Sequence, residues 1–441
     1  MQKIKNLPWP SLLALALGWS FAGSAALAQP DKSPPVSTQF LAPAAFLASP
    51  PAQVAGQPLT LKMLFERAWA RQPEAQSTAL RRGAAQAELS GASSWTADPV
   101  ALQLQTKTDR PGSNQGSREV EVGVAIPLWL PGERARKTAL GGAQLKAVES
   151  RQQAAQLQLA ASVRDAWWTL QRAQTEQGLA HDRLRNAQHL AADVTRRFKA
   201  GDMSRADQTQ AQAAVAQAEA VLAETTGVRD SAQAALGAWG GGTLAPSDHE
   251  HLATEPLPEV EGLPDGHPAV ADLRDQADVA RYAADLAAAQ TRANPELTVS
   301  ATRGREQSGE RYAQTVTLGV RVPLGGGGRA HAKELAAQAN ALDAELRASA
   351  ERDRLATEVV AAQARVIATQ GQRDAMTRYA ALARDARGFV DKAFRLGEAD
   401  WPTRLRVELD AAQADRQLAR TRIDAAAAVS TLRQAMGLLP Q

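Results

Sequence analysis

The sequence contains no cysteine, which excludes disulfide bonds, thiolate metal ligands and a lipid anchor attached through an acylated cysteine. Aromatic residues are also scarce, at 4% of the chain, although apolar residues make up 44%. Much of the apolar content is alanine, which favours helix formation and lets helix backbones approach closely. The composition therefore predicts a mainly helical protein with long, closely packed helices.

Long apolar runs are missing after the first 28 residues, so no transmembrane helix is predicted there. Residues 1–28 combine lysines, an apolar segment and the sequence Ala26-Leu27-Ala28, which predicts a signal peptide cleaved after Ala28 and hence an exported protein. One-sided charge is missing as well, because 50 basic side chains face 47 acidic ones. This balance gives no basic surplus that would recruit nucleic acid.

An internal repeat organises the chain. Residues 120–128 (VEVGVAIPL) return 196 positions later as residues 316–324 (VTLGVRVPL), and Gly201 and Gly397 have the same spacing. Two long units with the same elements in the same order indicate one structure used twice. The predicted segments are a signal peptide at 1–28, an extended Pro-rich tail at 29–58, a first repeat at 59–239, a connector at 240–266, a second repeat at 267–437 and a short tail at 438–441.

Each repeat contains two segments with the period-two alternation of a β-strand, at about 99–107 and 119–128 and again at about 295–303 and 313–324. One side of each segment is polar, with residues such as Gln105 and Thr317. The apolar side is predicted to face lipid through Leu102, Leu104, Val122, Val124, Ile126, Leu318, Val320 and Val322. Membrane β-barrels need about eight or more strands, so several copies of the chain are expected to share one barrel.

A helical pattern follows each strand pair for about 70 residues, which corresponds to roughly 100 Å. Each pattern ends at a glycine, Gly201 or Gly397, in the position where a helix C-cap favours positive φ. A shorter helical pattern then runs back. The two turns are therefore predicted to be the tips of long helical hairpins, long enough to cross an aqueous compartment.

The order of strand pair, long helix, glycine turn and return helix, used twice behind a signal peptide, resembles the TolC family of outer membrane efflux proteins. The likeness covers about residues 59–437. Its marks are Asp98-Pro99 and Asn294-Pro295 at strand entry, Ile126-Pro127-Leu128 and Val322-Pro323-Leu324 at strand exit, and the tips RFKAGDMSRAD and AFRLGEADWPT. Residues 127–136 (PLWLPGERAR) look most like the branch that serves heavy-metal efflux pumps of the RND type.

The resemblance implies a homotrimer in the cell outer membrane. Four strands from each chain would form a twelve-stranded β-barrel in outer membrane lipid, continued through the periplasm by a barrel of coiled-coil helices. The partners implied are a periplasmic adaptor and an inner-membrane RND pump, which supplies the energy. The implied function is an exit duct that passes substrate, here metal cations, out of the cell, without a catalytic step or a cofactor.

The resemblance also implies roles for residues near the tips. Asp391 and Asp385 match the position of acidic side chains that ring the closed periplasmic gate of the family. The adaptor would dock on the tips themselves, at Gly201, Ser204, Gly397 and Asp400. The alternative interpretation is that these residues are solvated helix positions and well-formed helix turns.

Two further features have competing interpretations. Trp95 and Trp129 stand at strand ends, where indole rings favour the boundary between lipid and water, and core packing is the alternative. Residues 248–251 (DHEH) suggest a metal site. Adjacent residues in a connector do not set a coordination geometry, however, and no cysteine assists them, so no metal site is predicted.

Three other functions compete with the exit duct. A periplasmic coiled-coil adaptor or scaffold would leave the apolar face of residues 120–128 without a covering layer, and adaptors need more than four strands. No nucleophile-base pair, metal set or cofactor loop is found in the sequence, so no enzymatic activity is predicted. An outer membrane duct for drug efflux or type I secretion stays open as an alternative, because a wide exit duct selects little.

Overall fold

The computed structural model describes residues 60–240, 254–259 and 262–441. All of these residues belong to one unit, which spans Pro58–Gln441. The predicted signal peptide and the Pro-rich tail lie outside the described residues. Most of the connector, including the DHEH sequence at 248–251, also lies outside them.

Both repeats share the order of a helix, two strands, a long helix and a shorter helix, and the first repeat has one additional helix at its start. The first contains α1 (Leu61–Arg71), α2 (Pro73–Ala92), β1 (Ala101–Thr108), β2 (Arg118–Pro127), α3 (Glu133–Ala200) and α4 (Arg205–Gly240). The second contains α5 (Pro268–Ala289), β3 (Glu296–Arg305), β4 (Ala313–Arg321), α6 (Gly327–Leu396) and α7 (Trp401–Ala435). The fold is therefore mainly helical with a small antiparallel sheet, which confirms the predicted fold class at this level.

The short helices begin where the sequence provides caps. The hydroxyl of Thr60 accepts a hydrogen bond of 3.2 Å from the backbone N–H of Met63, which caps α1. Pro73 occupies the first turn of α2, where its missing N–H costs nothing, and it separates α2 from α1. Leu64 and Phe65 of α1 are buried against the long helix α3.

The two long helices contain 68 and 70 residues, so each is roughly 100 Å long. Both end at a glycine with positive φ, 87° at Gly201 and 80° at Gly397. At the first tip the N–H of Asp202 donates to the carbonyl of Arg197, and the N–H of Gly201 donates to Phe198. This closure matches a Schellman motif, in which a side chain at the glycine position would be strained.

The four strands form one antiparallel sheet in the order β1-β2-β3-β4. The inner pair joins the two repeats, because β2 pairs with β3 over its whole length, with Val124 opposite Val299. The outer strands β1 and β4 pair on one side only among the described residues.

The helices follow the same lateral order as the strands. Helix α3 packs against α2 and α4 on one side and against α5 and α7 on the other. Helix α6 packs against α5 and α7. The order α2/α4, α3, α5/α7, α6 therefore runs parallel to the order β1, β2, β3, β4.

The largest core cluster lies where α1, α3, α4 and α7 meet. Trp167 and Trp168 are both buried there, next to Leu64, Leu236 and Ile423. These tryptophans pack between helices, as their position in the middle of a long helix predicts.

A buried ion-pair network ties the connector to the helices. The carboxylate of Glu255, which is 2% exposed, lies 2.7 and 3.0 Å from two nitrogens of Arg164 on α3. Arg433 on α7 lies 3.3 Å from the same carboxylate, and the hydroxyl of Ser430 donates to it. Two guanidinium groups thus neutralise one connector carboxylate in a site closed to water.

Candidate functional site

The sheet has two chemically different faces. Directly opposed residues of an antiparallel pair project to the same face, and Leu102 lies opposite Val124 while Leu104 lies opposite Val122. The same register places Leu318 opposite Val299 and Val320 opposite Leu297. The apolar residues of this face are Leu102, Leu104, Val120, Val122, Val124, Ile126, Leu297, Val299, Ala301, Val316, Leu318 and Val320.

The residues predicted to face lipid share this face. Leu104 is 69% exposed and Leu318 is 71% exposed, and Leu102, Val122 and Val320 are exposed as well. Val124 and Ile126 are half-buried, and Val322 lies just beyond the end of β4 and is exposed. An apolar face of this extent is not covered by any other described part of the chain.

The opposite face is polar. Lys107 lies 3.9 Å from Glu119 and Arg321 lies 3.8 Å from Glu296, each across one strand pair. Its other members are Gln103, Gln105, Glu121, Thr298, Ser300, Thr302, Thr315 and Thr317 together with Gly123, Gly304 and Gly319.

Two equivalent glycines let the polar face pack closely. Gly123 lies opposite Ser300, and Gly319 lies opposite Thr298. A Cβ atom on Gly319 would lie 2.7 Å from the Thr298 hydroxyl, and one on Gly123 would lie 3.0 Å from the Ser300 Cβ. The repeat therefore preserves glycine at these positions for a steric reason.

The two predicted interface tryptophans lie at the helix end of the sheet. Trp95 is in the loop between α2 and β1 and is 67% exposed, so it does not pack in a core. The indole N–H of Trp129 donates to the carbonyl of Ser94 at 3.2 Å, and the ammonium group of Lys137 lies 5.1 Å from its ring. Both indole rings thus lie at the same end of the sheet, the end next to the helices.

A buried glutamate that the sequence analysis did not single out fixes the junction between strand and helix. Glu133, in the first turn of α3, accepts hydrogen bonds from the N–H of Leu130 and from the side chains of Gln290 and Asn294. The last two residues belong to the second repeat. The sequence did contain a signal for this residue, because an acidic side chain directly after Pro-Gly at a helix start is favoured by the helix dipole.

The first tip is closed by a reciprocal cap. The hydroxyl of Ser204 accepts from the N–H of Asp207 at 3.1 Å, and the Asp207 carboxylate accepts from the N–H of Ser204 at 3.1 Å. Gly201 is exposed beside it. Ser204 therefore caps the return helix α4, whatever else binds there.

The second tip uses Asp400 for the same purpose. Its carboxylate accepts a hydrogen bond of 3.1 Å from the N–H of Thr403. Hydrogen bonds from the Thr403 side chain and backbone lower the pKa of Asp400. Asp400 and Gly397 are both exposed, so the predicted docking residues are accessible at both tips.

The two tips share a small core. Phe394 of α6 and Trp401 of α7 are buried with ring centroids 6.2 Å apart. The guanidinium groups of Arg197 and Arg404 lie 4.4 and 4.6 Å from the Phe394 ring, one from each hairpin. Cation–π contacts thus join the first tip to the second.

Asp391 is at the centre of an ion-pair network at the tips. Its carboxylate lies 2.6 Å from Arg395 on the same helix and 2.8 Å from Arg404 on α7. Arg404 also lies 3.3 Å from Asp193 on α3. Arg404 therefore links both hairpins, and sequence analysis missed it.

Asp385 does not join Asp391. The two residues are six positions apart, which corresponds to about 120° around a helix at about 100° per residue. Asp385 is exposed, and no basic side chain of the described residues lies within ion-pair distance. It lies beside the exposed side chains of Leu382 and Phe389 on one side of α6.

No group of three or more histidine or acidic side chains within the described ranges is arranged to hold a metal ion. No helix within residues 60–240 and 262–441 has both the length and the apolar character needed to cross a membrane.

Comparison with known proteins gives a family match over part of the chain. A family model described as outer membrane efflux protein matches residues 64–242, which is less than half of the chain. This match confirms the predicted resemblance to outer membrane efflux proteins. The matched family is described as efflux proteins, in agreement with the predicted lack of enzymatic activity.

The cobalt-zinc-cadmium resistance protein CzcC of Cupriavidus metallidurans is a relative of this chain. The two are 30% identical over 233 residues, which cover 50% of this chain and 53% of CzcC. The match thus spans about half the length of that relative.

Solved structures share the fold of this chain. The outer membrane protein VceC from Vibrio cholerae has a TM-score of 0.69 at 20% identity, covering 86% of this chain and 96% of VceC. CusC, described by its transmembrane channel formation, has a TM-score of 0.70 at 17% identity, covering 87% and 96%. The mainly helical architecture with one small sheet is therefore that of outer membrane channels.

Proposed function

We propose that the protein is the outer membrane exit duct of a tripartite efflux pump, and that it works as a homotrimer. The observation that carries this proposal is the four-stranded sheet, which has one exposed apolar face and two outer strands whose outer edges pair with no other described residue. Neither feature suits a monomer in water, because exposed apolar faces and open strand edges promote association. A soluble coiled-coil scaffold would leave both the apolar face and the open strand edges exposed to water.

An assembly of three copies would pair the open strand edges and turn the apolar faces toward lipid. Backbone N–H and C=O groups in lipid need partners, so β4 of one copy would pair with β1 of the next. Twelve strands would then close a barrel with the apolar face toward lipid and the polar face toward the lumen. The helices would meet in the same way, because their lateral order follows that of the strands.

Helix α6 carries a stripe suited to such a contact. Nine large apolar side chains of α6 are exposed, and all except Tyr379 form one row: Leu335, Leu342, Leu346, Val360, Ile367, Leu382, Phe389 and Leu396. At about 100° per residue, all eight lie within about 40° of one line along the helix. We infer that α2 and α4 of the next copy cover this stripe, where Leu80 and Val228 are exposed.

The helices would extend the barrel through the periplasm by roughly 100 Å. An adaptor would dock at the tips around Gly201, Ser204, Gly397 and Asp400, and an inner-membrane RND pump would supply the energy. Asp391 would contribute to a gate at the same end, held by Arg404. The signal peptide would direct the chain to export and be cleaved after Ala28.

The proposed substrate class is metal cations. Its support is the 30% identity with CzcC, whose name describes resistance to cobalt, zinc and cadmium. A strain that lacks the protein should become more sensitive to these cations, and its resistance to dyes and detergents should be unchanged. Sensitivity to dyes and detergents alone would instead support drug efflux.

The duct itself is tested by planar bilayer recording of the purified, detergent-solubilised protein. The proposal predicts discrete channel openings that appear only after the protein is added. Protein that stays monomeric in detergent-free buffer and never produces openings would contradict it.

A further inference from the structure

Three arginines interrupt the apolar face of the sheet at its loop end. Arg118 on β2 lies directly opposite Arg305 on β3, and Arg303 lies directly opposite Val120. The register places all three on the face that carries Val122 and the other apolar residues. We call Arg118, Arg303 and Arg305 the arginine cluster.

The arginine cluster has no acidic partner within the described ranges. The ion pairs of the sheet, Lys107 with Glu119 and Arg321 with Glu296, are on the polar face. The guanidinium carbons of Arg303 and Arg305 lie 5.1 and 5.2 Å from the centroid of the Tyr312 ring.

The close approach of the Arg118 and Arg305 side chains is electrostatically unfavourable unless an anion lies beside them. Like charges directly opposite each other on neighbouring strands destabilise a sheet. The Nε of Arg305 donates to the carbonyl of Gly116 at 3.2 Å, which holds this side chain against the loop between β1 and β2. Arg303 is exposed, and Arg118 and Arg305 are half-buried, so an anion can reach the cluster from the apolar side.

The position selects the kind of anion. Rows of apolar side chains lie immediately below the cluster, and an aromatic ring lies beside it. Apolar surface bordered by an aromatic residue and basic residues is typical of the boundary between lipid chains and headgroups. A planar guanidinium also binds the oxygens of a phosphate in a forked geometry.

We propose that the arginine cluster binds the phosphate groups of outer-leaflet lipids. This inference rests on the proposed membrane function, because that function places the loop end of the sheet at the outer surface. Arg118 and Arg305 contact one phosphate from two strands, and Arg303 with Tyr312 borders the headgroup. The lipid thus joins the two repeats at the end that is farthest from the helices.

The test measures binding of lipid A to the mature full-length protein in phosphatidylcholine nanodiscs. Wild-type protein and the double variant Arg118→Gln/Arg305→Gln are compared by native mass spectrometry. The variant should retain lipid A about tenfold less tightly, because hydrogen bonds to charged groups contribute at least that factor. Arg321→Gln, a loss of arginine on the polar face of the same sheet, should bind lipid A like wild type.

The same variant separates a binding role from a structural one. In pure phosphatidylcholine the double variant should unfold at the same temperature as wild type or higher, because it relieves a like-charge contact. Equal lipid A retention by wild type and the double variant would overturn the inference. The inference would also be overturned if free inorganic phosphate raised the unfolding temperature of the wild type as much as lipid A does.

Failure of this inference is distinguishable from failure of the duct proposal. Channel openings in a phosphatidylcholine bilayer need no lipid A, so openings without lipid A preference would refute the lipid site alone. An absence of openings would refute the duct.

Discussion

Asp391 of α6 and Arg404 of α7 form an ion pair of 2.8 Å across the second helical hairpin. The same guanidinium reaches Asp193 on α3 at 3.3 Å, so one arginine joins the two hairpins. Separation of the hairpins would have to break one of these contacts. The network is therefore suited to hold the two tips in one arrangement.

The first prediction concerns this network. Asp391→Asn or Arg404→Gln should increase the time that the reconstituted channel spends open, because each removes an ion pair between helices. Single-channel recording measures this. Asp385→Asn is the matched control, because Asp385 is exposed and outside the network, and it should leave gating unchanged. If the channel with Asp391→Asn closes as the wild-type channel does, Asp391 has no part in the gate.

The second prediction concerns the two faces of the sheet. Leu104→Arg, Val122→Arg or Leu318→Arg should each destabilise the folded protein by about 2–4 kcal/mol if the residue lies near the bilayer midplane. Gln105→Arg and Thr317→Arg place the same side chain on the polar face and should be tolerated. Urea unfolding in lipid vesicles measures the difference. Equal tolerance on both faces would contradict a lipid-facing apolar surface.

The third prediction concerns the buried connector carboxylate. Glu255→Gln leaves Arg164 and Arg433 buried without a counter-charge, which should lower the free energy of unfolding by about 3–5 kcal/mol. Arg82→Gln breaks an exposed ion pair with Glu149 and should cost less than about 1 kcal/mol. Denaturant titration compares the two variants. A cost for Glu255→Gln as small as that of Arg82→Gln would show that the connector is not anchored here.

The fourth prediction concerns pH. Burial lowers the pKa of His267 from its ordinary value of 6.5, although the nearby carboxylates of Glu351 and Glu358 oppose this. The folded protein therefore keeps His267 neutral at pH values where the unfolded chain takes up a proton. The contribution of neutral His267 to the stability of the folded protein is fully present above about pH 6.5. It is lost as the pH falls from there toward the lowered pKa.

Thermal unfolding between about pH 7.5 and 5 tests this assignment. His267→Asn should flatten the profile in this range. His189→Asn, which removes an exposed histidine from α3, is the control and should keep the wild-type profile. The assignment would be wrong if both variants had the same pH dependence.

The repeat and the strands could be predicted from sequence because their signals are local. Alternation over about ten residues defines a strand, and the spacing of 196 between Gly201 and Gly397 aligns the two tips. The pairing of β2 with β3 could not be predicted in this way. Their pairing depends on how the two repeats pack, and neither hairpin encodes its neighbour.

The contacts of the tips and of the connector also required the structure. Asp391 and Arg404 flank one hairpin turn, so opposite charges on either side of Gly397 were a usable signal. Glu255 had no such signal, because an irregular connector has no period that marks one carboxylate as buried. Asp385 and Asp391 were assigned to the gate from the family resemblance, and the structure places them about a third of a turn apart on α6, with only Asp391 in the ion-pair network.

The most direct test of the central claim uses the absence of cysteine. In one copy β1 and β4 are three strand spacings apart, about 14 Å, which is too far for a disulfide. Gln103→Cys on β1, combined in turn with Thr315→Cys, Thr317→Cys or Arg321→Cys on β4, can therefore cross-link only different copies. The measurement is the mass of the oxidised, denatured protein isolated from membranes. A covalent species of three chains in at least one combination is predicted, and monomers alone in every combination would contradict a shared barrel.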